Sequence, residues 1–165
     1  MELEKINIDG VNDTYALSVV KKEFKDAVNE QWKEEEPWQG YQKKLVQDLA
    51  VLDLSKEKAI DLPQFEKLSG EENLYCIHRP RSRKNIRIIY TIYDDCIILL
   101  IAFLEKDSGD YQRAIRTAKK RLKWKVIMIE IWRNMSHGNS REDSKGKTNQ
   151  LGSGWFVENR NKINC

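Results

Sequence analysis

The sequence predicts a single α+β domain, on three observations. Two β-branched runs, Ile86–Tyr93 and Cys96–Leu104, are separated only by Asp94-Asp95, which is the spacing of a hairpin. Before them, Phe24, Val28 and Trp32 recur every fourth residue; after them, Tyr111, Ile115, Ala118 and Leu122 mark a second helical stripe. Strands grouped in a block, with helices segregated to either side, describe an α+β chain rather than a βαβ alternation. At 165 residues the chain is long enough for one domain with a true core.

The elements follow in order. Residues 1–13 alternate weakly through Leu3, Ile6 and Ile8 to the turn signal Asp9-Gly10, and read as an N-terminal extension. Tyr15, Leu17 and Val19 alternate with smaller residues, predicting a strand over 14–20. From Lys21 the period lengthens, predicting a helix that stops near Glu36 because the residue before Pro37 disfavours the helical region. Trp38, Tyr41, Leu45, Leu49 and Leu52 mark a second helix, so the pair forms a helical hairpin. Residues 53–72 read as an irregular connector with Phe65 and Leu68 as anchors. Leu74 to His78 opens a three-stranded antiparallel meander, which passes through the basic loop Pro80-Arg-Ser-Arg-Lys-Asn85 to the two β-branched runs. The last strand is apolar on both faces, which places it centrally in the sheet. A basic helix capped by Ser108 or Asp110 closes the domain at residue 125. Val126 to Trp132 suits either a continued helix or another strand. The remainder of 126–165 is a C-terminal extension, flexible in part by composition, with Trp155-Phe156-Val157 as an apolar island.

Charge is unevenly distributed. Residues 1–72 hold 10 Lys and Arg against 17 Asp and Glu, whereas residues 73–125 hold 13 against 5. A basic module beside an acidic one points to a polyanionic partner. No apolar run is long enough to span a membrane, and the first residues lack the pattern of a secretory signal, so a cytoplasmic protein is expected. Three cysteines at wide spacings, without Cys-x-x-Cys, fit reduced thiols better than a disulfide framework or a zinc site. Gly146-Lys147-Thr148 lacks the first glycine and the preceding strand of a phosphate loop. No metal or cofactor motif is present.

What the chain concentrates is cations. His78, Arg79, Arg81, Arg83, Lys84 and Arg87 lie on adjacent strands and their loop, Lys106 follows the last strand, and Arg113 and Arg116 open the final helix. Such a patch binds phosphate, and it can cleave RNA without metal, since the 2′-hydroxyl is an internal nucleophile. Preorganised cations stabilise the charged phosphate; His78 or Tyr111 would move the protons.

The succession Phe65-Glu-Lys-Leu-Ser-Gly70, Leu74-Tyr75, Ile86-Arg-Ile-Ile-Tyr90, Ile98-Leu-Leu-Ile-Ala-Phe103, Glu105-Lys106 and Tyr111 with Ala118-Lys-Lys-Arg-Leu122 resembles the RelE/ParE superfamily of toxins from type II toxin–antitoxin pairs, in its RelE/HigB-like branch. The likeness covers about residues 14–124. It implies a RelE-like fold, metal-independent cleavage of mRNA (in some members on the ribosome) and neutralisation by a cognate antitoxin. Arg87 matches the arginine of the family's Arg-x-x-Tyr strand, and His78, Lys106 and Tyr111 fall at positions of other catalytic side chains. Arg79, Arg81, Arg83, Lys84, Arg113 and Arg116 would bind RNA. Cys76 stands where such members carry a lysine, and Glu105 and Asp107 flank Lys106 where further cations are common. Two other readings share the fold: a ParE-like inhibitor of DNA gyrase without nuclease chemistry, and a non-enzymatic RNA-binding module. The latter is favoured if His78 and Arg87 point to opposite faces of the sheet.

Overall fold

The computed structural model describes residues 2–28, 38–78 and 84–136, with Trp38 and 125–136 described by backbone alone. Its elements run β1 (Leu3–Lys5), β2 (Thr14–Leu17), α1 (Val20–Val28), α2 (Trp38–Ser55), a 3₁₀ helix (Lys56–Asp61), β3 (Phe65–Lys67), β4 (Tyr75–Ile77), β5 (Ile86–Tyr93), β6 (Cys96–Leu104) and α3 (Ser108–Ser136). The class is α+β. The strands make one mixed sheet in the order β1-β2-β6-β5-β4-β3. All neighbours are antiparallel except β2 and β6, which run parallel with Thr14 beside Ile97.

The β5–β6 hairpin has the bounds that the sequence predicts. Its turn residues Asp94 and Asp95 both take positive φ, 52° and 61°, the backbone of a type I′ turn whose twist matches the strands. An aspartate tolerates this conformation less well than glycine does at the second turn position. Asp95→Gly is therefore expected to raise stability by about 0.5–1 kcal/mol, measured as a higher urea midpoint at unchanged slope. From Cys96 to Ala102 every residue of β6 is buried, as a strand covered on both faces must be. The core joins Ile88, Tyr90, Ile97 and Leu99 to Val20, Phe24 and Val28 of α1 and to Leu45, Leu49 and Leu52 of α2.

Three elements differ from expectation. The connector 53–72 holds a 3₁₀ helix and an edge strand, β3, whose three residues are too few to show a period. Residues 2–13 join the sheet: β1 pairs with β2, and Ile6 and Val11 are buried. The basic helix does not end at 125 but continues to Ser136, which decides the Val126–Trp132 ambiguity for helix. Residues 29–37, where the second half of the first helix with Trp32 and its end near Glu36 are expected, lie outside the described residues, as do Trp155, Phe156 and Val157. Cys76 is a free, buried thiol, and Cys165 lies outside the described residues.

Two side-chain devices fix the ends of the sheet. The Asp53 carboxylate, near the end of α2, accepts hydrogen bonds from the backbone N–H groups of Asn12 (2.9 Å) and Asp13 (3.0 Å) and from the Thr14 hydroxyl (3.1 Å), anchoring the start of β2. Where β2 stops, the edge of β6 continues uncovered by backbone. Side chains close it: the Ala102 N–H donates to Glu23 of α1, Arg121 of α3 donates to the Leu100 carbonyl, and Arg121 and Glu23 pair at 2.6 Å. That clasp satisfies strand groups that would otherwise be open to edge pairing.

Candidate functional site

Arg87 is the centre of the only charged cluster that the sheet itself assembles among the described residues. It lies opposite Phe103 on β6, Cys76 lies opposite Ile89, and Glu66 lies opposite Cys76. Because side chains alternate, residues two apart share a face, so Glu66, Cys76, Arg87, Phe103 and Glu105 all project from one side. The pair Ile77–Ile88, extended by one residue, puts His78 across from Arg87. His78 and Arg87 therefore belong to the same face, and the condition set for the non-enzymatic module is not met.

The guanidinium is held from several directions. Its Nε donates to Glu105 Oε2 at 2.5 Å and its Nη1 donates to Glu66 Oε1 at 2.6 Å, with Cys76 Sγ at 3.8 Å. It lies 4.8 Å from the centroid of the Tyr111 ring, a cation–π contact. The Tyr111 hydroxyl donates to Glu66 Oε1 at 3.1 Å, and its ring leans on Phe103. Asn85 also donates to Glu105. The first turn of α3 delivers Tyr111 to this face, positioned by the Asp107 side chain, which accepts from the Asp110 N–H. Arg87 is largely buried, 15% exposed at its side chain, and Glu66 is more open at 36%.

Electrostatics set which groups can move protons. Burial pushes the Cys76 thiol up to about 12, outweighing the hydrogen bond and charge of Arg87; the thiol is neutral and inert. Burial, with the charge of Glu66 and the hydrogen bond to it, raises the Tyr111 phenol above its ordinary value, so it stays a proton donor. Arg87 is held in its charged form: burial opposes this, but the hydrogen bond to Glu105 and the neighbouring negative groups prevail.

The other expected residues are distributed around this cluster. Lys106 is exposed beside it. His78 is half-buried, and among the described residues its imidazole takes no hydrogen bond. Lys84 donates to the Val28 carbonyl at the end of α1, a helix-capping use of its charge. Arg113 pairs with Asp110 on its own helix, and Arg116 is exposed further along it. Arg79, Arg81 and Arg83 lie outside the described residues. Sequence reading missed Glu66 and Glu105 as site residues. Counting outward from the Asp94-Asp95 turn would have set Ala102 across from Arg87 and turned Glu105 to the opposite face; a register shift at Ile89 and Tyr90 brings Glu105 round, and Glu66 lies on an edge strand with no pattern of its own.

Among the described residues no helix is long and apolar enough to cross a membrane, and no group of His, Cys, Asp or Glu could hold a metal ion. What fold and site define is an α+β domain presenting an arginine, a carboxylate and a phenol on one end of a sheet face. No family model, curated protein or solved structure matches the chain.

Proposed function

We propose that the chain is a RelE/ParE-like toxin that cleaves mRNA without metal and is neutralised by an antitoxin. The observation that carries this reading is the contact of Arg87 with both Glu66 and Tyr111. In it a fixed cation for the phosphate adjoins a proton acceptor and a protonated phenol. The resemblance noted above, together with an antiparallel run of strands that follows two helices and is closed by a basic helix, supports the same assignment.

The chemistry assigns each group a task. Glu66 removes the 2′-hydroxyl proton as that oxygen attacks the adjacent phosphorus. Arg87 stabilises the charge that builds on the phosphate oxygens, with Tyr111 donating a hydrogen bond. The P–O5′ bond breaks, and the leaving oxygen takes a proton from His78 or Lys106. The products are a 2′,3′-cyclic phosphate and a 5′-hydroxyl. Incoming phosphate replaces a carboxylate oxygen on the guanidinium, and Glu66, the more exposed partner, is the one released to act as base.

Glu66→Gln keeps the shape and the hydrogen bond to Arg87 but cannot accept the proton. It is expected to lower cleavage by about 100-fold or more, within the range of general-base loss, with stability nearly unchanged. Primer extension on cellular mRNA after induction measures this. Wild-type cuts that persist in Glu66→Gln would remove Glu66 from the mechanism; intact mRNA with the wild-type chain would overturn the nuclease reading.

One observation favours a second reading, a binding protein without nuclease chemistry on the same fold. Glu66 and Glu105 together outweigh the single charge of Arg87, which suits a structural node as well as a catalytic one. Growth arrest accompanied by gyrase-dependent DNA breaks and uncut mRNA would select it.

A further inference from the structure

The exposed face of α3 separates its cations into two kinds. Arg113 is paired with Asp110, Lys119 with Glu71 at 2.9 Å, and Arg121 with Glu23. Arg116, Lys120 and Lys123 are exposed and have no partner among the described residues. At 100° per residue these three occupy adjacent positions, about 60° apart at most, in the middle of the solvent face. Beside them stands Trp124, 62% exposed, four residues after Lys120 and eight after Arg116. The aliphatic residues of this stretch, Ile115, Ala118 and Leu122, pack on the core instead.

We infer that Arg116, Lys120, Lys123 and Trp124 form a docking strip for single-stranded RNA, distinct from the Arg87 cluster. Unpaired cations at successive helical turns neutralise a phosphate backbone, and an exposed indole offers the flat face on which a base stacks. A membrane surface is disfavoured because an interfacial helix buries an aliphatic stripe, and that stripe is already used by the core. An acidic protein would leave the solvated indole without a purpose. The strip runs about 20 Å along the helix from Tyr111 to Trp124, so an RNA held at both places extends roughly six nucleotides at helical spacing to one side of the cut. The choice of RNA rests on the proposed function; the strip itself does not require cleavage.

The test is binding of the full chain to a fluorescein-labelled single-stranded RNA methylated at every 2′-oxygen, which removes the nucleophile and isolates binding. Neutralising the strip as Arg116→Gln/Lys120→Gln/Lys123→Gln is expected to reduce the slope of log K against log salt by about 2, three contacts at ~0.7 each. Trp124→Ala is expected to weaken binding about tenfold, and Trp124→Phe to restore most of it. All four sites are exposed, and unchanged circular dichroism verifies the fold. Wild-type affinity and slope in the triple variant would overturn the proposal. So would RNA binding that is weaker than strip-dependent binding to an acidic protein or to anionic phospholipid vesicles. A chain that binds this RNA through the strip yet cuts no unmodified RNA upholds the strip and overturns the nuclease reading alone.

Discussion

Replacing Arg87 by alanine is expected to abolish growth arrest and to lower the stability of the domain by about 3 kcal/mol, the scale for removing one partner of a buried ion pair. The two effects share one cause. The guanidinium is 15% exposed and neutralises Glu66 and Glu105 at once, so its loss leaves two carboxylates facing each other beside the buried Cys76. It also removes the cation beneath the Tyr111 ring, loosening the first turn of α3. Because an unstable toxin is also a harmless one, Arg87→Lys separates the effects. Lysine keeps the charge but not the fork that reaches both carboxylates. It is expected to recover part of the stability, read from the urea midpoint, while cleavage stays at least 100-fold down in primer extension. A lysine variant with full cleavage would show that the arginine's geometry is dispensable.

The second large effect is expected away from the site. Asp53→Ala should cost about 3 kcal/mol, since it strands the N–H groups of Asn12 and Asp13 and the buried Thr14 hydroxyl, at about 1 kcal/mol each. Burial alone would raise the Asp53 pKa. The hydrogen bonds from Asn12 and Asp13, the charge of Lys56 and the Thr14 hydroxyl outweigh it and hold the carboxylate below its ordinary value. The unfolded chain therefore takes up a proton here at higher pH than the folded one. The contribution of Asp53 is present in full above about pH 4, its unfolded value, and declines as pH falls through the lower folded value. Urea midpoints of wild type and Asp53→Ala should accordingly converge in acid. A difference that stays constant down to pH 2 would show that the carboxylate's charge is not what the loop binds.

The parts of the fold that were legible in the sequence are those in which local pattern and tertiary demand agree. β5 and β6 declare themselves because both runs are β-branched and the intervening Asp94-Asp95 suits a tight turn. α2 shows in Leu45, Leu49 and Leu52, all of which are buried. β3 was not legible: three residues, Phe65, Glu66 and Lys67, cannot establish an alternation, and their extended form is imposed by β4. The site divides in the same way. Arg87 and Tyr111 stand out as a cation in an apolar strand and an aromatic opening a helix. Their carboxylate partners, 21 and 18 residues from Arg87 along the chain, are brought in by register. A regional count of charge therefore overstates how many cations converge. Lys84, Arg113, Lys119 and Arg121 are each occupied by a carbonyl or a carboxylate.

The parallel pairing of β2 with β6 has a consequence for the birth of the molecule. Thr14 cannot find Ile97 until about 80 further residues have been made, which at ~5–20 residues per second takes about 4–16 s. The N-terminal strand waits through that interval, while the local β5–β6 hairpin closes within microseconds of its own synthesis. Closing so long a loop is entropically costly and slow. The face carrying Arg87 is completed only when α3 follows β6 and sets Tyr111 over the guanidinium. The chain thus spends most of its translation without an assembled cluster, and whatever activity the cluster confers begins only after nearly the entire domain exists.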